Sequence, residues 1–376
     1  MASTVRLAPL QIDYLNFIRA AGAQLVLIGH ASGYFLAGLE RDGHIETFGV
    51  LIFFLISGFL ITSSVLQKLD RPDYGFSHYL IDRFCRIFAG YLPALLFVAA
   101  VDASLSTQPG YPYADSRSSL DWFGNLLMLQ DYPVFQVLRR LGMPAQPWFV
   151  APFGSGRPFW TVAIEWWIYL AVGYLVFRII RRRRFGWVEA ATLAALGVVP
   201  LYNAMGGVGH CLTLVWAFGA GAAVVRQRLA AAASARWIWI CAVMTSLAAL
   251  GGHVFQLGLQ VYELQFAVFV GAVLFSLFFL FGTISASVPR WAGRLLDRLA
   301  GYSYSLYLTH YTVLIAFALN WPSAEHRAPL TFAVLFVTAN AVALCFWFLF
   351  ERHYPMLARL AKAARDRHRL PQPARA

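Results

Sequence analysis

Charge is what this sequence has least of. Only 18 of its 376 residues are Asp or Glu and 30 are Lys or Arg, or 13% charged, against roughly 25% in soluble domains. With hydrophobic residues at 59% and a mean hydropathy of +0.60, a water-soluble globular domain is excluded. Cysteine is scarce too: Cys85, Cys211, Cys241 and Cys345 lie scattered in or beside apolar runs, without metal-ligand spacing. That excludes a disulfide framework and a zinc site, and leaves Cys to act as a small hydrophobe. Internal repeats and low-complexity tracts are also lacking, and no appended soluble domain is expected. A cleavable signal is not expected, because the first apolar run is too long, lacks a small-residue cleavage site and contains Arg19.

What is present is a series of long charge-free runs. They lie between Arg19 and Glu40, Glu46 and Lys68, Arg86 and Asp102, and Glu165 and Arg178. The run from Glu189 to Arg226 is long enough for two helices, with a break at Pro200, Asn203, Gly206 and Gly207. Four more lie between Arg236 and Glu263, Glu263 and Arg290, Arg298 and Glu325, and Arg327 and Glu351. Counting the split run twice, the expectation is an all-α polytopic bundle of about ten transmembrane helices.

Lys and Arg orient it. With alternate loops and both termini on one side, that side holds 23 and the other six, Arg41, Arg117, Arg139, Arg140, Arg157 and Arg327, with Arg19 inside the membrane. Cytoplasmic loops carry the excess, so both termini are expected in the cytoplasm of a multi-pass protein of the cell (inner) membrane. The same rule accounts for the net charge of +12, so nucleic acid is not an expected partner. The basic run Arg181 to Arg184, just after a span, reads as a topology anchor on anionic lipid of the bilayer.

The expected organisation is a transmembrane domain over 1–355 and a basic, disordered cytoplasmic tail over 356–376. Within the domain, an outer loop at 105–158 carries Tyr111, Tyr113, Trp122, Tyr132 and Trp148. A loop this long usually binds something or is partly disordered. Its apolar piece at 122–129 suggests an interfacial or re-entrant helix, and its aromatics serve either as interface anchors or as sugar-stacking platforms.

Arg19 and His30 stand eleven positions apart on the first helix, about three turns, which places both on one face roughly 16 Å apart along the axis. An arginine in hydrocarbon is costly and usually faces a bundle interior or a watery cavity. Taken alone, the pair reads equally as a snorkelling Arg with a structurally satisfied His.

Other segments join it: FFLISGFLI at 53–61, DRFCRIFAGYLP at 82–93, WTVAIEWWIYL at 160–170, SYSLYLTHYTVL at 303–314 and FERHYP at 350–355. Together with RAAGAQLVLIGH at 19–30, and in this order, they resemble the acyltransferase 3 family of integral-membrane acyltransferases. Ala89 stands where the third-helix motif often has Pro, and Asn16 where an Asp is common. The resemblance implies transfer of an acyl group, usually acetyl from acetyl-CoA as co-substrate, onto a hydroxyl of a glycan or other acceptor such as O-antigen or exopolysaccharide. It implies no tightly bound cofactor and no metal, and it makes Arg19 and His30 the functional pair. Members that modify peptidoglycan often carry an extracellular hydrolase-like domain, and none is expected here.

The remaining site readings follow from placement. His30 suits a general base for a hydroxyl, and Glu165, at similar depth, either fixes its tautomer or partners an arginine. Ser57 reads as a packing residue between Phe54 and Gly58 that lines the cavity, rather than a nucleophile. His310 either lines the same cavity or bonds a helix carbonyl. Arg83 and Arg86 either grip the phosphates of acyl-CoA or anchor topology. Acyl transfer across the membrane needs a cavity through the bundle for the pantetheine arm. The competing class is a transporter or flippase of lipid-linked sugars.

Overall fold

In hydrocarbon only a helix satisfies its own backbone, so charge-free apolar runs fold as helices. In the computed structural model they do, and no strand occurs among the described residues. The described residues are all except 1–6, 36–44, 131, 135–137, 139–140, 144–148, 183–184, 207–210, 230–234, 260–262, 322–327 and 368–376. Trp148, Arg41, Arg139, Arg140, Arg327 and the Arg183–Arg184 end of the basic run therefore lie outside them.

The helices are α1 (Pro9–Phe35), α2 (Ile45–Lys68), α3 (Phe76–Leu105), α4 (Ser119–Leu126), α5 (Phe159–Tyr174, running on as a wider turn to Ile180), α6 (Trp187–Ala204), α7 (Leu212–Leu229), α8 (Arg236–Leu257), α9 (Leu264–Gly282), α10 (Arg290–Gly301), α11 (Ser303–Asn320), α12 (Ala328–Leu349) and α13 (Tyr354–Arg367). Each of the ten expected spans falls on one of these. Six helices are long and apolar enough to cross a membrane: α2, α3, α5, α8, α9 and the segment from Pro329. By that measure α1, α6, α7 and α11 fall short. In α1 and α11 the reason is visible, because they turn Gln11, Arg19, Ser303, Thr309 and His310 into the bundle.

The centre is built by close approach. α1 packs along α2, and α2 packs along α7. A Cβ at Gly58 would run into the Trp216 carbonyl, and one at Gly219 into the Leu55 carbonyl, so the α2–α7 crossing brings backbone against backbone. Small residues serve helix packing in membranes this way. α11 runs beside α1, α3 and α12.

The segment at 105–158 is pinned at several of its described residues. Buried Asp102, near the end of α3, accepts from Ser155 N and Ser155 Oγ, both at 2.7 Å, and Ser155 Oγ lies 2.9 Å from Thr312 Oγ1 of α11. A side chain at Gly154, with φ +51°, would strike that carboxylate. The helix expected over 122–129 is α4, starting three residues earlier because Ser118 and Asp121 close a capping box. Its exposed Leu120 and Phe123, with Leu127 just past its end, form an apolar outer face.

The tail differs from its sequence reading. Residues 356–367, expected as disordered, belong to α13, which docks on α3. Lys362 reaches Asp82 at 2.7 Å, and Arg365 Nη1 lies 2.6 Å from His78 Nε2. A basic composition read along the chain does not reveal a partner some 280 residues away.

Candidate active site

α1 presents Arg19 and His30 to the same neighbour. Arg19 Nη2 donates to the Ala300 carbonyl at 3.3 Å, and His30 Nδ1 lies 3.0 Å from His310 Nε2. Contacts thus advance eleven positions on α1 and ten on the segment leading through α11, so the two run parallel. One face carries both residues, as the spacing requires.

A cavity of about 540 Å³ opens between α1, α2, α3, α5 and α11. That size suits a small-molecule site, typically about 300–1,000 Å³. Four arginines (Arg19, Arg83, Arg86, Arg352) and two glutamates (Glu165, Glu351) line it. Arg86 Nη1 is paired with Glu351 Oε1 at 2.5 Å, and Glu351 also accepts from Ser305 N at 3.1 Å and Ser305 Oγ at 2.7 Å. Glu351, from the short turn after α12, therefore caps the first turn of α11 and neutralises Arg86. Arg83 sits 5.7 Å from the Tyr79 ring, its buried Nε has no hydrogen-bond partner, and no described carboxylate forms an ion pair with it. Of the two arginines on α3, Arg83 is the one left for a ligand.

Glu165 does not reach His30. Its Oε1 accepts from Tyr169 OH at 2.5 Å and from Ser57 Oγ, while Trp216 Nε1 donates to Ser57 Oγ at 3.1 Å. α5 offers Glu165 to α2, and His30 faces α11, so the carboxylate expected to orient the imidazole instead holds a hydroxyl network. Ser57 is placed there by Gly58, whose missing side chain lets α7 bring Trp216 close.

His30 and His310 are not among the residues lining this cavity. Its end toward them is formed by Phe53, Thr161 and Tyr307, with Tyr307 OH 2.5 Å from Thr161 Oγ1 and 3.3 Å from the Pro158 carbonyl. The through-passage expected from the sequence is closed by Tyr307, one turn before His310. Beyond it the imidazoles meet tyrosines: Tyr311 stands edge-on to His30 with centroids 5.1 Å apart, and Tyr113 OH lies 2.8 Å from Tyr311 OH. Burial holds the Tyr113 phenol up at about 12, so it stays a neutral hydroxyl at ordinary pH.

His310 itself is fully buried, with Nδ1 2.9 Å from the Tyr307 carbonyl and 3.0 Å from that of Leu306. Of its two sequence readings, the bond to a helix carbonyl holds and the cavity lining does not. Glu351, Tyr169, Tyr307 and Tyr311 were not singled out from the sequence, although all stand inside the quoted motifs. Among the described residues no cluster of three or more His, Cys, Asp or Glu could hold a metal ion.

No curated protein and no solved structure matches the chain. The family model of an acyltransferase domain matches residues 12–350, nearly the whole chain, with the imidazole pair and all of the cavity lining except Glu351, Arg352 and Tyr354 inside that span. The chain therefore belongs to the acyltransferase 3 family and is a multi-pass membrane acyltransferase.

Proposed function

We propose that this protein takes an acyl group, most simply acetyl, from acyl-CoA on the cytoplasmic side and delivers it to a hydroxyl of a surface or exported glycan on the outer side. The observation that carries this reading is the pairing of an arginine-lined cavity with an imidazole pair one helical turn beyond its closed end. Guanidinium groups suit phosphates because they offer paired, charge-assisted hydrogen bonds. Arg83, with Arg19 lining the same cavity, would receive the phosphates of CoA and orient the thioester toward Tyr307.

His30 acts as general base. A sugar hydroxyl is scarcely ionised at neutral pH, and taking its proton as it attacks contributes typically about 10²–10⁴-fold. The acceptor oxygen bonds the thioester carbonyl carbon, the carbon–sulfur bond breaks, and the hydroxyl proton passes to His30 Nε2 and on to the departing CoA thiolate. Tyr307 must move for donor and acceptor to meet. A transporter would need the same helices but gives no reason for two imidazoles in contact.

The test is mass spectrometry of surface glycans from cells with and without the protein, beside acetyl-CoA and succinyl-CoA turnover by the protein in liposomes. A protein-dependent acyl mass shift supports the reading and names donor and acceptor. Unchanged glycans with no turnover of either thioester would overturn it.

A further inference from the structure

His310 has no part in the acyl-transfer scheme so far, yet it is fully buried and touches the proposed base directly. Its hydrogen bonds fix the protons. Carbonyl oxygens only accept, so the His310 Nδ1 facing the Leu306 and Tyr307 carbonyls carries the hydrogen. A second hydrogen on Nε2 would make a buried cation with no ion-pair partner among the described residues, a costly state. His310 is therefore neutral, and its Nε2 is an acceptor. The atom 3.0 Å away, His30 Nδ1, must donate. No described residue bonds His30 Nε2, the nitrogen left with a lone pair.

We infer that His310 is a positioning residue that locks His30 in its Nδ1–H tautomer and leaves Nε2 ready to take the acceptor's proton. The inference rests on the acyl-transfer reading for its consequence, but the tautomer is a property of the resting protein. A neutral imidazole suits this place. A carboxylate there would hold His30 protonated, whereas an uncharged acceptor orients the ring and lets the proton pass on to the leaving thiolate. The bond also spans 280 positions, tying the end of α1 to mid-α11.

The experiment pairs kinetics with spectroscopy on the full chain in liposomes. His310→Phe keeps an aromatic ring but offers no acceptor, and His310→Gln keeps an acceptor oxygen and an N–H for the carbonyls. Wrong-tautomer variants of hydrolytic triads lose about 10⁴-fold; His310→Phe frees the His30 ring rather than forcing the wrong tautomer, so the expected kcat loss is about 10- to 100-fold. The KM for acetyl-CoA should stay within about twofold, and His310→Gln should recover most of the loss. Solid-state nitrogen-15 NMR of histidine-labelled protein, with His30→Ala as the assignment reference, should show His30 protonated at Nδ1 and bare at Nε2. In His310→Phe both tautomers should appear. A wild-type His30 protonated at Nε2 overturns the inference whatever the enzyme acylates. Full kcat in well-folded His310→Phe, or no recovery in His310→Gln, overturns it too. If no acyl transfer is found for any acceptor, the activity reading fails and the spectra still decide the tautomer.

Discussion

At the scale of single residues, the sequence carried the identity of the chemical groups better than their pairings. Eleven positions of helix place Arg19 and His30 on one face by arithmetic alone, and both do face the segment from Ala300 to His310. Nothing in that arithmetic reveals that Arg86 meets Glu351 from 265 positions away, or that Glu165 serves Ser57 and Tyr169 rather than His30. The pairing separates two arginines that the sequence treated alike. Arg83→Gln should raise the KM for acyl-CoA and spare the acceptor. Charge-assisted bonds contribute about 1.5–3 kcal/mol, so the rise should be roughly tenfold for a half-buried group. Arg86→Gln should act on folding, because breaking a buried pair costs about 3–5 kcal/mol and Glu351 is 1% exposed. The melting temperature should fall and then recover in the Arg86→Gln, Glu351→Gln double variant. Equal effects of both single variants on donor KM, with no thermal difference, would return Arg86 to the donor site. His30→Ala should insert normally, still bind acyl-CoA and lose transfer by at least about 10²-fold. Retained transfer would leave a water molecule or another group as the proton acceptor.

At the scale of elements, helix existence followed from apolar runs, while helix roles depended on contacts. The serine-glycine-phenylalanine stretch of α2 favoured packing over nucleophilic chemistry at Ser57, but could not say what the hydroxyl meets. The structure answers through its neighbour: Gly58 lets α7 approach, and Trp216 and Glu165 then meet the Ser57 hydroxyl. Gly58→Ala should therefore do more than an exposed alanine would. The added carbon meets a backbone carbonyl that cannot rotate away, and overpacking of that kind costs about 1–3 kcal/mol. Thermal unfolding in detergent should show the loss, whereas Gly221→Ala, which meets open space on the same helix as Gly219, should be neutral. Matching melting temperatures for the two variants would mean that α2 and α7 are less tightly joined than their backbone contacts indicate. The helical start of the tail is another contact effect: Ala358 is buried, and Lys362 and Arg365 find Asp82 and His78 on α3.

For the whole molecule, composition was enough to identify a helical membrane protein, and six of its described helices are long and apolar enough to cross a membrane. The helices that fall below the apolar threshold include α1 and α11, which carry the arginine, the two imidazoles and the buried hydroxyls of the site. Function thus dilutes the signal by which a span is recognised. Orientation is a prediction from charge: 23 Lys and Arg expected on one side against six on the other predict both termini in the cytoplasm. The cavity arginines Arg83, Arg86 and Arg352 share the basic end with Lys68 and Lys362, while Tyr113 and the imidazole pair sit toward the opposite end. If the basic end is cytoplasmic, the donor enters from the side where CoA is made, and the base meets the side where an exported glycan arrives. Reporter fusions after residue 184 and at the C-terminus should therefore read cytoplasmic, and one near residue 115 should read external. Tyr307, which closes the cavity between the two ends, supplies a functional check on the same polarity. In sealed, oriented vesicles, Tyr307→Ala should raise acceptor-independent hydrolysis of acetyl-CoA supplied on the cytoplasmic side, and not of acetyl-CoA supplied outside. An external C-terminus, or hydrolysis fed equally from both sides, would reverse the assignment of donor and acceptor ends.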